Sequence, residues 1–571
     1  MTVPPNEAAM SRIESWFAQR TRWQRRGLAF LAGALATLGH APFHVIPFYV
    51  AAIVILVWLL DVVAAQHAGR SIVRKMWAGA STAWWFAVGH YLTGFYWIGS
   101  AFIERGADFA PYAAPAVLAF AAVLALFWMI AGALAMLLWT RDARRVAAFA
   151  VAVFVAEWLR GNMFTGFPWL LPGYIWSPGE PVSQLASIFG IYGLSLLTLL
   201  AAAAPAVLAD GRSTGAMRFA PSIAAALAVG MSWGWGAERM AHAPIEPPGA
   251  QPVVRVADSG LSQKQKWCEV TTREEFDACY PQQEWRVLAR YLAASGPPDT
   301  SRADILVWPE GAIPTLNFFA LDNPQFMAAL GRGLGDRALV MGITRCEPNP
   351  AVCQGLLTGA TDPDAVRLYN SGAVIDGVSG VTRLGQVYDK HHLVPGGEYI
   401  PFWSVLRNLN IGPLQQIGSG FTPGPAPTRL VLPGAPPAVV LICYEAIFPG
   451  MTPREDRPGW IINISNDAWF GDPKLFSGPW QHWDIARYRT IEEGLPMARA
   501  ASGGISGIVD AFGRAVRSTY RRGGYAESQI PPALVVTTFA RYGNIVLFLT
   551  LCLTLALRFL PPWRADGDRR R

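Results

Sequence analysis

The run Ala438-Val439-Val440-Leu441-Ile442-Cys443-Tyr444-Glu445 decides how the charged half of this sequence folds. Five consecutive apolar residues, without polar alternation, suit a strand covered on both faces. The cysteine then stands where that strand emerges into a turn. Similar runs occupy residues 253–256, 305–308, 338–342 and 460–464, while 272–294 and 481–497 carry helix-compatible patterns. Residues 251–541 therefore read as an α/β domain with a mostly buried sheet. No internal repeat is visible, and low-complexity sequence is confined to Pro/Gly-rich loops such as 422–427.

Outside that region the composition changes. Of 571 residues, 52% are apolar and only 15% charged, which excludes a wholly soluble or disordered chain. A membrane span needs roughly 20 apolar residues, so the stretch 27–65 accommodates two helices with His40-Ala41-Pro42-Phe43-His44 as their turn. Further spans are predicted near 76–103, 110–139, 146–160, 184–209, 218–236 and 543–560, eight in all. Arg20, Arg22, Arg25 and Arg26 imitate the start of a signal peptide, but the spans that follow make the first helix an uncleaved one.

With the amino terminus inside, the inside segments carry Arg12, Arg20, Arg22, Arg25, Arg26, Arg70, Arg74, Lys75, Arg141, Arg144, Arg145, Arg212, Arg218 and the arginines after 557. The short outside loops carry only Arg105 and Arg160. This asymmetry places both termini in the cytoplasm and residues 251–541 outside. The organisation expected is a membrane domain over 1–245, a catalytic domain over 251–541, and a last helix with a tail over 542–571. The formal charge of +7 then reflects topology rather than nucleic-acid binding.

A lone cysteine is more often buried structure than chemistry, so Cys443 gains meaning only from company. Glu310 ends the apolar run in Val307-Trp308-Pro309-Glu310-Gly311, and Lys390 lies in Tyr388-Asp389-Lys390-His391-His392-Leu393. A thiol attacks as its thiolate, which needs a base to take the proton and a positive charge to favour the anion. Glu and Lys are the residue types for those tasks. An ammonium and the amide of Tyr444 would also suit the oxyanion formed when a thiolate adds to a carbonyl. Taken singly, Glu310 and Lys390 would more often be solvated or salt-bridged residues than catalytic ones.

Together, Trp308-Pro309-Glu310, the segment from Tyr388 to Pro395 and Cys443-Tyr444-Glu445 resemble the Glu-Lys-Cys triad of the nitrilase (carbon–nitrogen hydrolase) superfamily. Gly397-Glu398-Tyr399-Ile400-Pro401-Phe402, Asn463-Ile464-Ser465-Asn466-Asp467-Ala468-Trp469-Phe470-Gly471 and Gly478-Pro479-Trp480-Gln481-His482 are similar to longer motifs of bacterial apolipoprotein N-acyltransferases. So are Glu157-Trp158-Leu159-Arg160-Gly161 and Thr165-Gly166-Phe167-Pro168-Trp169 in the apolar half. The resemblance implies a polytopic helical membrane domain carrying a periplasmic four-layer αββα sandwich in the bacterial inner membrane.

It also implies transfer of a phospholipid sn-1 acyl chain, from phosphatidylethanolamine, through a Cys443 thioester to the α-amine of a diacylglyceryl apolipoprotein. Glu310 would be the base and acid and Lys390 the oxyanion partner. Glu398, Tyr444 and Glu445 would support the site, and Trp267 would touch substrate. In each of these four the alternative is a loop-holding or packing residue. No metal or other cofactor is implied.

The aromatic segment 162–181, with Phe164, Phe167, Trp169, Tyr174 and Trp176, suits either the border of a lipid path or an anchoring belt. Departures from the family pattern are Gly396 where Phe is usual, Ala257-Asp258-Ser259-Gly260-Leu261-Ser262-Gln263 near Trp267, and an expanded loop over 346–364. With Cys443 reserved as a thiol, Cys268, Cys279, Cys346 and Cys353 form an even external set, compatible with a Cys346–Cys353 disulfide. Cys552, in the last apolar run, is expected to pack. Rival readings are a membrane-tethered carbon–nitrogen hydrolase and a transporter or receptor. The second is poorly served by 76–139, whose only charges, Glu104, Arg105 and Asp108, cluster at a presumed loop.

Overall fold

Hydrophobic stretches of helical length build the first part of the chain. The computed structural model describes residues 12–140, 142–210, 218–242, 251–266, 273–313, 321, 323–349, 352–353, 365–376, 383–401, 403 and 420–557. They divide between two units: one of Met1–Gly99, Tyr112–Ala243 and Arg541–Arg571, the other of Ser100–Pro111 and Pro244–Ala540. Among the described residues the first helices in chain order are α1 (Arg12–Ala18), α2 (Arg22–Ala36), α3 (Ile46–Gln66), α4 (Ile72–Gly94), α5 (Gly99–Glu104), α6 (Ala113–Leu138), α7 (Arg145–Asn162), α8 (Ala186–Ala203), α9 (Ala220–Ala241) and the short α10 (Gln263–Lys266).

Among the described residues, four helical stretches are long and apolar enough to cross a bilayer: Ile46–Gln66, Ala110–Leu138, Arg145–Thr165 and Pro181–Ala209. The run 27–65 does split into two helices, with the turn where it was expected. The helix expected over 76–103 instead ends at Gly94, and the chain turns through Tyr96–Ile98. Close helix crossings depend on small residues: a Cβ at Gly79 of α4 would stand 2.6 Å from the carbonyl oxygen of Gly132 in α6.

Arg160 is not the loop charge that the sequence suggested. It is buried in α7, paired with Glu157, and donates to the carbonyls of Phe167 and Trp169. Glu157 in turn accepts from Tyr91 and Trp128. Arg145 likewise bridges Asp61 and Asp210. These buried charges are paired, as burial in a low-dielectric interior requires, and they close the helical unit on itself rather than lining a path.

Alternation along the strands builds the second unit. Its strands are β1 (Val253–Ala257), β2 (Ile305–Val307), β3 (Ala338–Glu347), β4 (Arg367–Asp376), β5 (Arg383–Asp389), β6 (Arg429–Leu430), β7 (Ala438–Ile442), β8 (Trp460–Asn466), β9 (Met497–Ser502), β10 (Ser506–Val509), β11 (Ala515–Thr519) and β12 (Tyr525–Gln529). They form two six-stranded sheets, ordered β12-β1-β2-β3-β4-β5 and β11-β10-β9-β8-β7-β6.

Val440 and Ile442 of β7 enter the core between the sheets, with Val254, Val307, Val340 and Ile464. Val439 and Leu441 face the other way, against Trp483 and Ala486 of a helix over Gly478–Glu493. Val287 and Tyr291 of α11 (Arg273–Ser295) and Phe326 and Leu330 of α12 (Pro324–Leu334) cover the outer face of the first sheet. The layers are αββα, the nitrilase-like arrangement. All five predicted strand runs coincide with strands, Trp308 alone falling past the end of β2. The helix expected over 481–497 is α13 (Gly478–Glu493); Gly494, at φ 66°, ends it in the left-handed region, and β9 begins at Met497.

Candidate active site

The end of β7 turns abruptly because Cys443 has φ 49°, an uncommon conformation for a residue with a Cβ. The turn Cys443–Ile447 follows directly. Such strain is retained where surrounding bonds over-determine it, and Glu445 supplies them. Its fully buried carboxylate accepts from the amide of Ile442 at 2.7 Å on one oxygen. The other accepts from the Tyr388 hydroxyl at 2.6 Å and the amides of His391 and His392 at 2.8 and 3.1 Å. One carboxylate thus ties the nucleophile turn to the segment that bears Lys390.

Lys390 follows β5, is 1% exposed, and places Nζ 2.8 Å from Glu398 and 3.6 Å from Glu310. Glu310 follows β2 and lies close enough to the Cys443 thiol for each to act on the other's proton affinity. The structure therefore brings Glu310, Lys390 and Cys443 together, although 133 residues of sequence separate the first from the last. Glu398 joins them, and it also caps its own loop by accepting from the amide of Val394 at 2.8 Å. Gly396 sits in this loop at φ 75°, a conformation that favours glycine, and its amide donates to Tyr399. Tyr444 is nearly buried against Phe448. Trp267 lies outside the described residues.

Electrostatics follow from burial and from these neighbours. Burial pushes the Cys443 thiol well above its ordinary range and Glu310 adds to this, while Lys390 opposes both. Burial also raises the Glu310 carboxyl, against the pull of Lys390, with Glu398 adding to the rise. Burial works against the charge of Lys390, but Glu398 and then Glu310 outweigh it and hold the ammonium protonated far up the pH scale. A thiol raised in this way keeps its proton at rest.

The sequence reading missed Asn370. Its amide nitrogen, on β4, donates to Glu310 and to Glu398, both at 2.6 Å, spacing the two carboxylates around Lys390. Nothing in Tyr369-Asn370-Ser371 signals this, because the strand register supplies it. Also missed was Lys266, 1% exposed, which donates to Ser502 at 2.8 Å and Tyr291 at 3.2 Å. Burial lowers it to about 8, with Asp258 and Glu310 as opposing charges.

The motif residues Asp467 and His482 lie behind Cys443. Nδ1 of His482 is 2.8 Å from Asp467 and Nε2 is 3.3 Å from the Cys443 carbonyl oxygen. Although Cys443, Asp467 and His482 cluster closely enough to suggest metal ligands, Arg499 already fills the cationic position. Its guanidinium reaches Asp467 at 2.7 Å and His482 at 3.1 Å.

A thiol, a buried carboxyl and a buried ammonium meeting at strand ends are the residue types that covalent acyl chemistry uses, here on a nitrilase-like fold. Residues 264–535 match the carbon–nitrogen hydrolase family, and residues 32–204 match the apolipoprotein N-acyltransferase N-terminal domain. The chain is 38% identical to the apolipoprotein N-acyltransferase of Bradyrhizobium diazoefficiens, over 94% of this chain and 95% of that one. It is 36% identical to that of Rhodopseudomonas palustris, over 97% and 98%. With the Caulobacter vibrioides protein of the same name it shares 36% identity over 94% and 95%. The chain belongs to the apolipoprotein N-acyltransferase family.

Proposed function

We propose that Cys443 carries an acyl group from a phospholipid to a lipoprotein amine, in the last step of lipoprotein maturation. The observation that carries this is the meeting of the Cys443 thiol, Glu310 and Lys390 at the end of β7. Glu310 takes the thiol proton while sulfur adds to the sn-1 ester carbonyl of phosphatidylethanolamine. The oxyanion is held by the Lys390 ammonium and the amide of Tyr444. The carbon–oxygen bond breaks, Glu310 returns its proton to the lysophospholipid alkoxide, and a thioester remains. The α-amine of diacylglyceryl-cysteine then adds to the thioester and gives a proton to Glu310. The Cys443 thiolate leaves, an amide forms, and the thiolate regains the proton.

Glu398 and Asn370 position Glu310 and Lys390, and Glu445 positions the turn. Trp267 contacts substrate. The membrane domain spans 1–245 with the last helix and tail at 542–571, eight spans in total, both termini cytoplasmic and 251–541 periplasmic. The Cys346–Cys353 disulfide, with Cα atoms 6.1 Å apart, supports an oxidising exterior, and Cys279 is disulfide-bonded as well. Cys552, expected to pack, is exposed on the helix over Ile545–Leu557, as are Leu549 and Leu553. Of the aromatic segment, Trp169 is buried against Trp97 and Phe167, and Trp176 donates to Thr198; Phe164 alone of the five projects strongly, at 76% exposed. The lipid-path role therefore falls to Phe164.

Intact-protein mass spectrometry after incubation with phosphatidylethanolamine tests the reading. An acyl adduct absent from Cys443→Ala and discharged by a diacylated lipopeptide is expected. No adduct on folded protein, together with turnover of a small amide, would assign the site to hydrolysis instead.

A further inference from the structure

Within the helical unit, residues of α2, α3, α4 and α6 line a cavity of about 730 Å³ that the acyl-transfer reading does not use. Arg22, Arg25, Arg26 and Arg74 all contribute to it, and its described lining contains no aspartate or glutamate. Four guanidinium groups around one cavity repel one another, and without carboxylates only solvent or a bound anion relieves that repulsion.

Arg25 is committed to protein partners: it donates to the carbonyl of Arg20 at 2.6 Å and to Gln66 at 3.0 Å. Arg26 is less so. Its guanidinium lies 4.6 Å over the Trp23 ring, its contact with Ser81 is long at 3.4 Å, and its buried Nε has no hydrogen-bond partner. Arg22 and Arg74 stand exposed at the rim. The rest of the wall mixes polar Gln66, His67, Ser81 and Thr82 with an apolar and aromatic part that includes Leu59, Val63, Trp77, Trp84 and Trp85. A hydrated inorganic anion uses only the polar part of this wall, whereas a phosphate carrying hydrocarbon satisfies both parts. Basic pockets between membrane helices on the cytoplasmic side have this character.

We propose that the cavity binds the phosphate of an anionic phospholipid, with Arg22, Arg26 and Arg74 on the headgroup and the tryptophan wall against the acyl chains. The site would face the cytoplasmic leaflet in the orientation proposed above, and it is separate from acyl donation at Cys443.

The test uses the full chain, delipidated in neutral detergent, and ether-linked phosphatidylglycerol, which has no acyl ester to donate. Bound lipid is counted by native mass spectrometry against ether-linked phosphatidylcholine. Phosphatidylglycerol is expected to bind more tightly and to weaken with salt, while phosphatidylcholine does not. At about fivefold per arginine, Arg22→Gln with Arg74→Gln should weaken phosphatidylglycerol roughly 30-fold. Arg70→Gln with Arg218→Gln removes the same charge outside the cavity and should leave binding unchanged.

Equal losses in the two pairs would assign the effect to general surface charge and overturn the proposal. Equal, salt-independent binding of the two wild-type lipids would reduce the cavity to an apolar crevice, and this comparison stands even if a variant does not fold. Displacement of the lipid by an equal concentration of free glycerol phosphate would make it a soluble-anion site instead.

Discussion

Removing the Asn370 side chain should slow acyl transfer chiefly by keeping Glu310 protonated. Each of its two bonds, to Glu310 and Glu398, is 2.6 Å long and has a carboxylate as acceptor. Hydrogen bonds to charged groups contribute roughly 1.5–3 kcal/mol each, and the one to Glu310 lowers a carboxyl that burial has raised. In Asn370→Ala that support is lost, the ionised base is disfavoured, and water entering the gap restores part of it. At 1.36 kcal/mol per factor of ten, the lower bound corresponds to roughly a tenfold fall in kcat/KM on the acid side of the profile, where the base is already protonated.

The sign of the pH effect follows from the same bond. The base works ionised, so activity falls as pH drops through its titration, and losing a bond to the ionised form moves that fall to higher pH. Measuring kcat/KM for lipopeptide acylation against pH, with thermal unfolding to confirm the fold, separates this from simple damage. An unchanged profile with a lower plateau, or a fall displaced to lower pH, would refute the electrostatic reasoning and leave Asn370 a packing residue.

Glu445→Gln presents a donor where Ile442 or the three donors around Tyr388 need an acceptor, an unsatisfied buried contact costing about 1–3 kcal/mol; both acyl-adduct formation and unfolding temperature should fall. Gly342→Ala would put a Cβ 2.4 Å from the Glu310 Cα, so the base must move, and adduct formation should fall while phospholipid still binds in a lipid-pulldown measurement. Glu493, buried and pushed up by burial and by Glu492 to about 8 from an ordinary 4.5, gives up its proton later in the folded chain than in the unfolded one. Stability should therefore be lost as pH rises from about 4.5 to about 8, and Glu493→Gln should flatten that slope in thermal unfolding. Removing the Cys346–Cys353 bridge, which spans seven residues, by Cys346→Ser with Cys353→Ser should cost at most roughly 2–3 kcal/mol, read from denaturant unfolding without reductant so that the Cys279 disulfide stays closed.

What the sequence made legible and what it concealed divide along one physical line. Val439 to Ile442 announce a buried strand because both faces of β7 are covered, by the opposite sheet and by α13, and burial on both faces leaves an unbroken apolar run. β11 was invisible for the opposite reason: Ala515 to Arg517 and Ser518 are exposed, and nothing in their pattern separates a solvated edge strand from a loop. The same holds for chemistry. Cys443, Glu310 and Lys390 each sit at the end of a strand, where a short motif travels with the residue that it serves. Asn370 sits inside β4 and reaches the site only because the β4–β5 register sets Ser371 opposite Asp389, one residue before Lys390. Lys266 depends similarly on Ser502 and Tyr291, which are distant in sequence.

Arg160 shows how a correct motif can carry a wrong inference. Read as a loop charge it served the count of basic residues, yet it is folded inward to hold the carbonyls of Phe167 and Trp169. Between those carbonyls' positions and α7 the chain carries Phe164, Thr165 and, a little further on, Leu170 at positive φ, so the charge stabilises a strained aromatic turn. That turn leaves Phe164 as its one strongly projecting ring. If Phe164 meets lipid as proposed, Phe164→Ala should weaken phospholipid binding without lowering the unfolding temperature, whereas Arg160→Gln should lower both. Loss of stability in Phe164→Ala with lipid affinity unchanged would return the whole segment to an anchoring belt.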